Sequence, residues 1–457
     1  MTHQHDFPER PNEIQKSLRA SLVCGGIFCV LLVVYASIVP LEFRPLPWAE
    51  SMERWLSIPW LELSVWERAD WIANTLIFIP PTFLICGYIC SSRNVGRSVL
   101  FFQVTIWFVF MALLVVGIEL IQIWFPPRTV SWNDIVAGVV GVLLGVLGWL
   151  FLGPFIIKWF SGLLQKPSVS NKVASVVIAV MLACVLYSLY PFDVVFSLAE
   201  LEEKRLQGRL RWWTDTTSWG LLSILQSWIL AALRMVPFGL GLGWKTRPRF
   251  ALPIIGVLSM LFELIQLPIF SKHSAGDEIV AGMCGGLAGW WIAQNAIQLV
   301  RVFEHPGTWL FCIATWITFV PITFVARFQV VITNPEVIAE RWWGMLTPPL
   351  SRYYYTSEYS ALTNLAGKLA MFGLLGMCIA GYSRSRHPYP YRRYFIAGLL
   401  VAGFIGCTIE VLQVYLAPFI ADLSDVIIYL VGYGLGFVFG IWFFWDGSGH
   451  QEGRNKA

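Results

Sequence analysis

Three times in 457 residues the chain repeats one arrangement of groups that can move protons or grip a headgroup. A glutamate is followed three residues later by a glutamine, then by eleven residues and an acid. Glu119, Gln122 and Asp134 form the first set, Glu263, Gln266 and Glu278 the second, and Glu410, Gln413 and Asp425 the third. Glu and Gln at i and i+3 share one helix face. Such carboxylates could act as general acid and base, accept hydrogen bonds from a lipid or sugar headgroup, or clasp one helix to the next. No nucleophile, metal set or nucleotide loop accompanies them: P-loop, G-x-S-x-G, H-E-x-x-H and C-x-x-C are all missing. His273 is a lone histidine in this region. No catalytic residue, metal or cofactor is therefore assigned, and the residues lean away from an enzyme.

The elements that carry these groups are apolar. The chain is 57% hydrophobic and only 13% charged, with mean hydropathy +0.65. That is more apolar surface than a water-soluble fold can hide. Uncharged runs long enough for a ~30 Å hydrocarbon core number about twelve, from 20–41 to 426–445. All nine cysteines lie inside these runs, so no disulfide framework is implied. Basic residues such as Lys16 and Arg19, Lys158 and Lys166, Arg247 and Arg249, and Arg384 and Arg386 fall in the N-terminal tail and on alternate connections. By the positive-inside rule both termini are cytoplasmic, and loops 42–69, 193–218 and 327–359 face outward. The basic clusters are small and follow topology, so nucleic acid is not a partner.

The sets belong to a larger repeat. Their glutamates stand 144 and 147 residues apart, and after six intervening residues each final acid is followed by G-x-x-x-G: Gly141 and Gly145, Gly285 and Gly289, Gly432 and Gly436. The first span of each unit carries Ser/Thr-x-x-Pro, ending in Pro40, Pro191 and Pro321. An Arg-Trp element follows in each outer loop, at Arg54, Arg211 and Arg341, and predicts short interfacial segments. In the second spans, alignment on the aromatic after Met puts Arg234 and Lys368 at one position, which is Ile77 in the first unit. Four spans per unit make three parallel repeats: 18–165, 166–304 and 305–446, between tails 1–17 and 447–457. The expected fold is an all-α polytopic membrane protein. A parallel layout departs from the inverted repeats of many secondary transporters.

The stretches D-W-I-A-N-T-L-I-F-I-P (Asp70–Pro80), E-L-I-Q (Glu119–Gln122) and S-W-N-D-I-V-A-G (Ser131–Gly138) resemble the VanZ-like membrane family. The likeness is closest in 18–157. Ser227 and Ala231 stand where the first unit has Asp70 and Asn74, and the third unit lacks both Pro80 and a basic match to Arg128. The resemblance implies a bacterial inner-membrane protein of the cell envelope, from a family whose namesake is associated with glycopeptide resistance. It brings no settled reaction.

Each third span turns within about ten residues into the fourth, which places Glu119, Gln122 and Asp134 together at the outer end of a helical hairpin. Arg234 and Lys368 are expected to pair with their units' glutamates or to meet a lipid phosphate. In the first unit Arg128 takes that role, with Lys272 as its counterpart. The first unit is nearest the family pattern and the leading candidate for a working site. Two readings stay open, a structural clasp and a site for an envelope lipid or lipid-linked glycan. Alternatives of other classes are a membrane enzyme acting on lipid-linked sugars and a secondary transporter. Membrane lipids are the expected partners; nothing points to a protein partner.

Overall fold

In hydrocarbon a backbone must satisfy its own polar groups, so isolated apolar runs fold as helices. The protein, here a computed structural model, is described over residues 11–91, 96–126, 128–164, 169–213, 221–243, 246–325, 330–355, 358–386 and 390–444. Lys166 and the tails 1–10 and 445–457 lie outside the described residues. One order of helices occurs three times. A long helix is followed by a short one in the connecting loop and then by three more long ones. The first set is α1 (Pro11–Ile38), α2 (Trp48–Leu56), α3 (Val65–Cys90), α4 (Arg97–Gln122) and α5 (Trp132–Leu164). The second is α6 (Val169–Leu189), α7 (Leu198–Leu206), α8 (Leu221–Gly243), α9 (Pro248–Gln266) and α10 (Gly276–Gln294), with α11 (Ala296–Glu304) as a connector. The third is α12 (Pro306–Val325), α13 (Pro335–Gly344), a single turn α14 (Ser351–Tyr354), α15 (Glu358–Arg384), α16 (Tyr391–Tyr415) and α17 (Leu423–Phe444).

Among the described residues ten helices are long and apolar enough to cross a membrane, against the twelve expected. The other two stand where spans were predicted. In α10, Asp277 and Glu278 occupy the first turn and five glycines thin out the 19 residues. In α12 the apolar stretch Pro306–Val320 is short. Pro40 and Pro191 follow the ends of α1 and α6 as the sequence implied, but Pro321 lies inside α12.

Backbone contacts divide the chain into two units. One comprises Met1–Pro167, Tyr187–Arg211 and Leu264–Ser274; the other comprises Ser168–Leu186, Trp212–Glu263 and Ala275–Ala457. In the first unit α1, α3, α4 and α5 enclose Val33, Phe78, Met111, Val115 and Val142. In the second, Met235, Phe238, Ile255 and Phe262 form one core, and Phe372, Leu375, Tyr429 and Tyr433 form another. Large apolar side chains also cover the outside of the helices: Phe28, Phe101, Phe151, Phe311 and Phe404 are each at least 65% exposed. In these helices such faces are what lipid would cover.

The chain entering the loop after each repeat's first long helix is tied to the turn after the third long helix by one backbone bond. Arg44 N donates to Trp124 O (2.8 Å), Val195 N to Pro268 O (2.7 Å) and Ile332 N to Tyr415 O (2.8 Å). The acceptors stand 144 and 147 residues apart, the intervals already found for the glutamates. In the third repeat the tie extends to a two-residue antiparallel pairing, Val330 with Ala417 and Val331 with Leu416.

Candidate functional site

Backbone-to-backbone packing places the polar groups. The first glycine of each G-x-x-x-G faces a second-helix carbonyl: Gly141 faces Thr75 O, Gly285 faces Ala232 O and Gly432 faces Leu369 O. The second glycine does the same one turn on, with Ile79, Val236 and Gly373. A side chain at these points would hold the helices apart. The contacts also fix a register. Residues 75, 232 and 369 are equivalent, so Lys368 stands at the position of Asn74 and Ala231, one turn from the position shared by Ile77 and Arg234. The alignment that matched Lys368 to Arg234 is displaced by three residues.

That register explains the side-chain partners. In the first repeat Asn74 Nδ2 donates to Asp134 Oδ1 (2.6 Å), and Ser131 Oγ donates to Asp134 Oδ2 (2.6 Å). In the third, Lys368 occupies Asn74's place and binds Asp425 Oδ2, not Glu410. Tyr353 Oη completes the group, donating to Asp425 Oδ1 (2.6 Å) and lying 2.8 Å from Lys368 Nζ. In the second, alanine fills that place and Arg234 Nη2 pairs with Glu263 Oε1 at 2.7 Å, as expected. Glu278 is half-buried within the field of Arg234 and Glu263. Asp70 is exposed and close enough to act on both Glu119 and Asp134.

Two of the glutamates share one role. Each accepts from the backbone N–H three residues before its fourth-helix acid, Glu263 from Ala275 (3.3 Å) and Glu410 from Asp422 (2.9 Å), and Glu119 lies near the equivalent Ser131 N–H. A third-helix carboxylate thus holds the turn that starts the fourth helix. Glu410 also accepts from Tyr429 Oη (3.1 Å). In the first repeat Glu119 Oε2 and Gln122 Oε1 are buried with no partner. Gln122 Nε2 donates to Ser37 O (2.8 Å), and Arg128 reaches Val39 O (2.8 Å) and Ala36 O, so both cap the end of α1 rather than pairing with Glu119. Lys272, the counterpart of Arg128, sits 4.3 Å from the Tyr187 ring centroid.

Two cations, Lys204 buried and Arg341 half-buried, do a job that the sequence alone assigned to no residue. Lys204 Nζ, in α7, donates to Gln266 O (2.8 Å), Leu267 O (2.8 Å) and Ile269 O (2.6 Å). Arg341, in α13, donates to Gln413 O (2.5 Å), Val414 O (2.7 Å), Leu416 O and Phe419 O. Three of these acceptors are equivalent in the two repeats, and Lys204 and Arg341 are 137 residues apart, as are Val195 and Ile332. Each cation satisfies the free carbonyls ending a long helix and meets the negative end of its dipole. Arg211 was expected to match Arg341; it lies past α7 and bonds Gly208 O instead. Arg54 pairs with Glu50 (2.7 Å) on the exposed face of α2. His273 is ringed by Arg209, Arg211, Lys204 and Lys272, and desolvation together with these cations pushes its pKa down to about 4. Such surroundings repel a metal ion, and among the described residues no group of His, Cys, Asp and Glu is arranged to hold one.

A cavity of about 480 Å³ adjoins the third cluster. Lys368, Tyr353, Asp425 and Gln413 line it, with Arg352 and Asp422 beside them. Asp422 is only 3% exposed. Its Oδ1 accepts from Ser424 N (2.8 Å) and Oγ (2.6 Å), while Oδ2 has no partner. Arg352 gives Nε and Nη2 to Gly344 O, which leaves Nη1 for another acceptor. Phe419, Ile420 and Tyr429 supply apolar walls.

A sequence model of the VanZ/LLP1 family matches residues 27–157 and 308–444, the first and third repeats. No curated protein and no solved structure matches the chain.

Proposed function

Since the chain belongs to the VanZ/LLP1 family and carries, among its described residues, ten helices fit to cross a membrane, we propose that this integral membrane protein binds the headgroup of an envelope lipid or lipid-linked glycan. The site is the cavity of the third repeat. It lies on the outer-leaflet side of a bacterial inner membrane, with both termini cytoplasmic. The observation that carries the reading is Asp422 Oδ2, a buried acceptor without a partner beside a cavity whose volume falls in the ~300–1,000 Å³ range of small-molecule sites. A buried acceptor left unpaired is costly, and a hydroxyl or ammonium of a headgroup would relieve it. Arg352 Nη1 suits a phosphate or sugar oxygen on the same ligand, and Tyr429 and Phe419 offer flat faces to a ring or glycerol.

In the first and second repeats the polar clusters act as clasps, although Glu119 Oε2, Gln122 Oε1 and Asp277 Oδ1 are also buried without a partner there. Asp134 is held by Asn74 and Ser131, and Glu263 by Arg234 and Ala275. These bonds tie the second and third helices to the start of the fourth. Binding rather than turnover is the proposed activity. Native mass spectrometry of protein extracted with its own lipids tests it. Wild type is expected to retain a specific lipid or lipid-linked sugar that Asp422→Asn releases while remaining folded. Retention unchanged in Asp422→Asn, or no retained lipid at all, would overturn the assignment.

A further inference from the structure

A second cavity, of about 510 Å³, lies in the first repeat at the other end of the helices. Arg19 of α1, Tyr88 of α3, and Gln103, Ile106, Trp107 and Phe110 of α4 line it. Arg19 is eighteen residues before Ser37, the residue whose carbonyl meets Gln122, or about 27 Å along a helix at 1.5 Å per residue. That is close to a full hydrocarbon thickness, so this cavity and the Glu119, Gln122 and Asp134 cluster of the same repeat serve opposite membrane faces.

Its chemistry is one-sided. Arg19 Nε and Trp107 Nε1 are both buried with no acceptor. The arginine's described contact is with the Tyr88 ring, 4.9 Å from the centroid, which steadies the guanidinium without accepting its N–H groups. Among the described residues no Asp or Glu lines the cavity. Two buried donors, one of them cationic, call for a ligand that is anionic and rich in acceptor oxygens. The walls say where it comes from. Ile106 is 53% exposed and Phe110 51% exposed on the outside of α4, a helix with mean hydropathy 2.6. A water-borne anion would have to cross that apolar face, whereas a lipid already lies against it.

We propose that this cavity binds an anionic phospholipid from the leaflet opposite the first repeat's carboxylate cluster. A phosphate oxygen accepts from Arg19 Nε and Trp107 Nε1, Gln103 supplies an amide at the rim, and an acyl chain runs along Ile106 and Phe110. The site shares no residue with the third-repeat cavity, so each proposal can fail without the other.

The test is lipid binding to the full-length protein in detergent, by native mass spectrometry and thermal shift. The probes are dioleoyl phosphatidylglycerol, dioleoyl phosphatidylcholine and inorganic phosphate. Phosphatidylglycerol is expected to bind about tenfold more tightly than phosphatidylcholine, whose choline cation offsets the phosphate charge beside Arg19. Trp107→Phe keeps the ring and removes a donor to the phosphate, and is expected to weaken phosphatidylglycerol binding about tenfold. Arg19→Gln is expected to abolish the preference for the anionic lipid. Equal binding of the two lipids overturns the proposal. So does an unchanged phosphatidylglycerol affinity in Trp107→Phe, which also decides the matter if Arg19→Gln does not fold. Stabilisation by inorganic phosphate matching that by phosphatidylglycerol would overturn the lipid assignment.

Discussion

The closest approach in the third repeat is between α15 and α17, and one methyl group tests it. A Cβ added at Gly436 would lie 2.5 Å from the Cα and carbonyl carbon of Gly373 and nearer still to its oxygen. Carbon atoms in contact sit about 3.5–4.0 Å apart, so Gly436→Ala must part the two helices by about 1 Å. Nothing flexible can give way, because every nearby atom is backbone. Overpacking of this kind costs about 1–3 kcal/mol. Two residues away, Gly434 has nothing within 4 Å of the same added atom. Gly434→Ala should therefore stabilise α17 by up to about 1 kcal/mol through helix propensity. The pair differs by one methyl group moved by two residues, and their stabilities should differ by about 2–4 kcal/mol. That corresponds to an apparent Tm difference on the order of 5 °C or more. The site should respond as well, because Lys368 lies on α15 and Asp425 on α17. Thermal unfolding of purified protein in detergent, with lipid retention measured in parallel, reads both effects. Equal Tm values for Gly434→Ala and Gly436→Ala would refute the backbone-contact argument, and with it the register that equates Lys368 with Asn74.

Other substitutions probe separate parts of the account. Lys204→Met leaves three helix-end carbonyls without their donor and should lower stability by about 3 kcal/mol or more. Lys204→Arg should recover most of it, since Arg341 serves the same carbonyls in the third repeat; equal Tm values for Lys204→Met and wild type would contradict the capping role. Removing Lys368 alone, as Lys368→Met, should cost more than Lys368→Met combined with Asp425→Leu, because the single change strands a buried carboxylate; additive losses in a double-mutant cycle would argue against the pairing. Arg68 holds Glu200 at 2.6 Å, and this pairing pulls the Glu200 pKa down from 4.5 to about 2. A carboxylate with a depressed folded pKa lends stability above about pH 4.5 and loses it as the pH falls toward 2. The Tm of Glu200→Gln should thus fall less steeply than that of wild type across this window, and parallel curves would sink the assignment.

The helical hairpin was legible because carboxylate, amide and glycine recur at spacings a helix turns into one face. The short outer helices were also legible, because Trp and Arg beside polar residues mark an interface. Lys368 was placed three residues out of register because its segment was aligned on an aromatic. A ring can fill a core from neighbouring positions on a helix, whereas a glycine against a backbone carbonyl tolerates no slip. Nothing in the run E-L-E-E-K-R singles out Lys204, since a lysine that caps carbonyls beneath a helix looks like any other in sequence. Its distance of 137 residues from Arg341 was the available signal, but the match becomes visible only once the outer-loop backbone bonds define the interval. The cavity was not legible at all. It arises from Tyr353 and Arg352 of α14, a single turn that no periodicity announces.

The central claim is that the third repeat holds a ligand where the first and second hold themselves together. An experimental density map of the protein extracted with native lipids tests this most directly. The account predicts headgroup density within hydrogen-bond distance of Asp422 Oδ2 and next to Arg352, with Asn74 still bonded to Asp134 in the first repeat. An empty third-repeat cavity in a map that resolves lipid density beside Glu119 would contradict it.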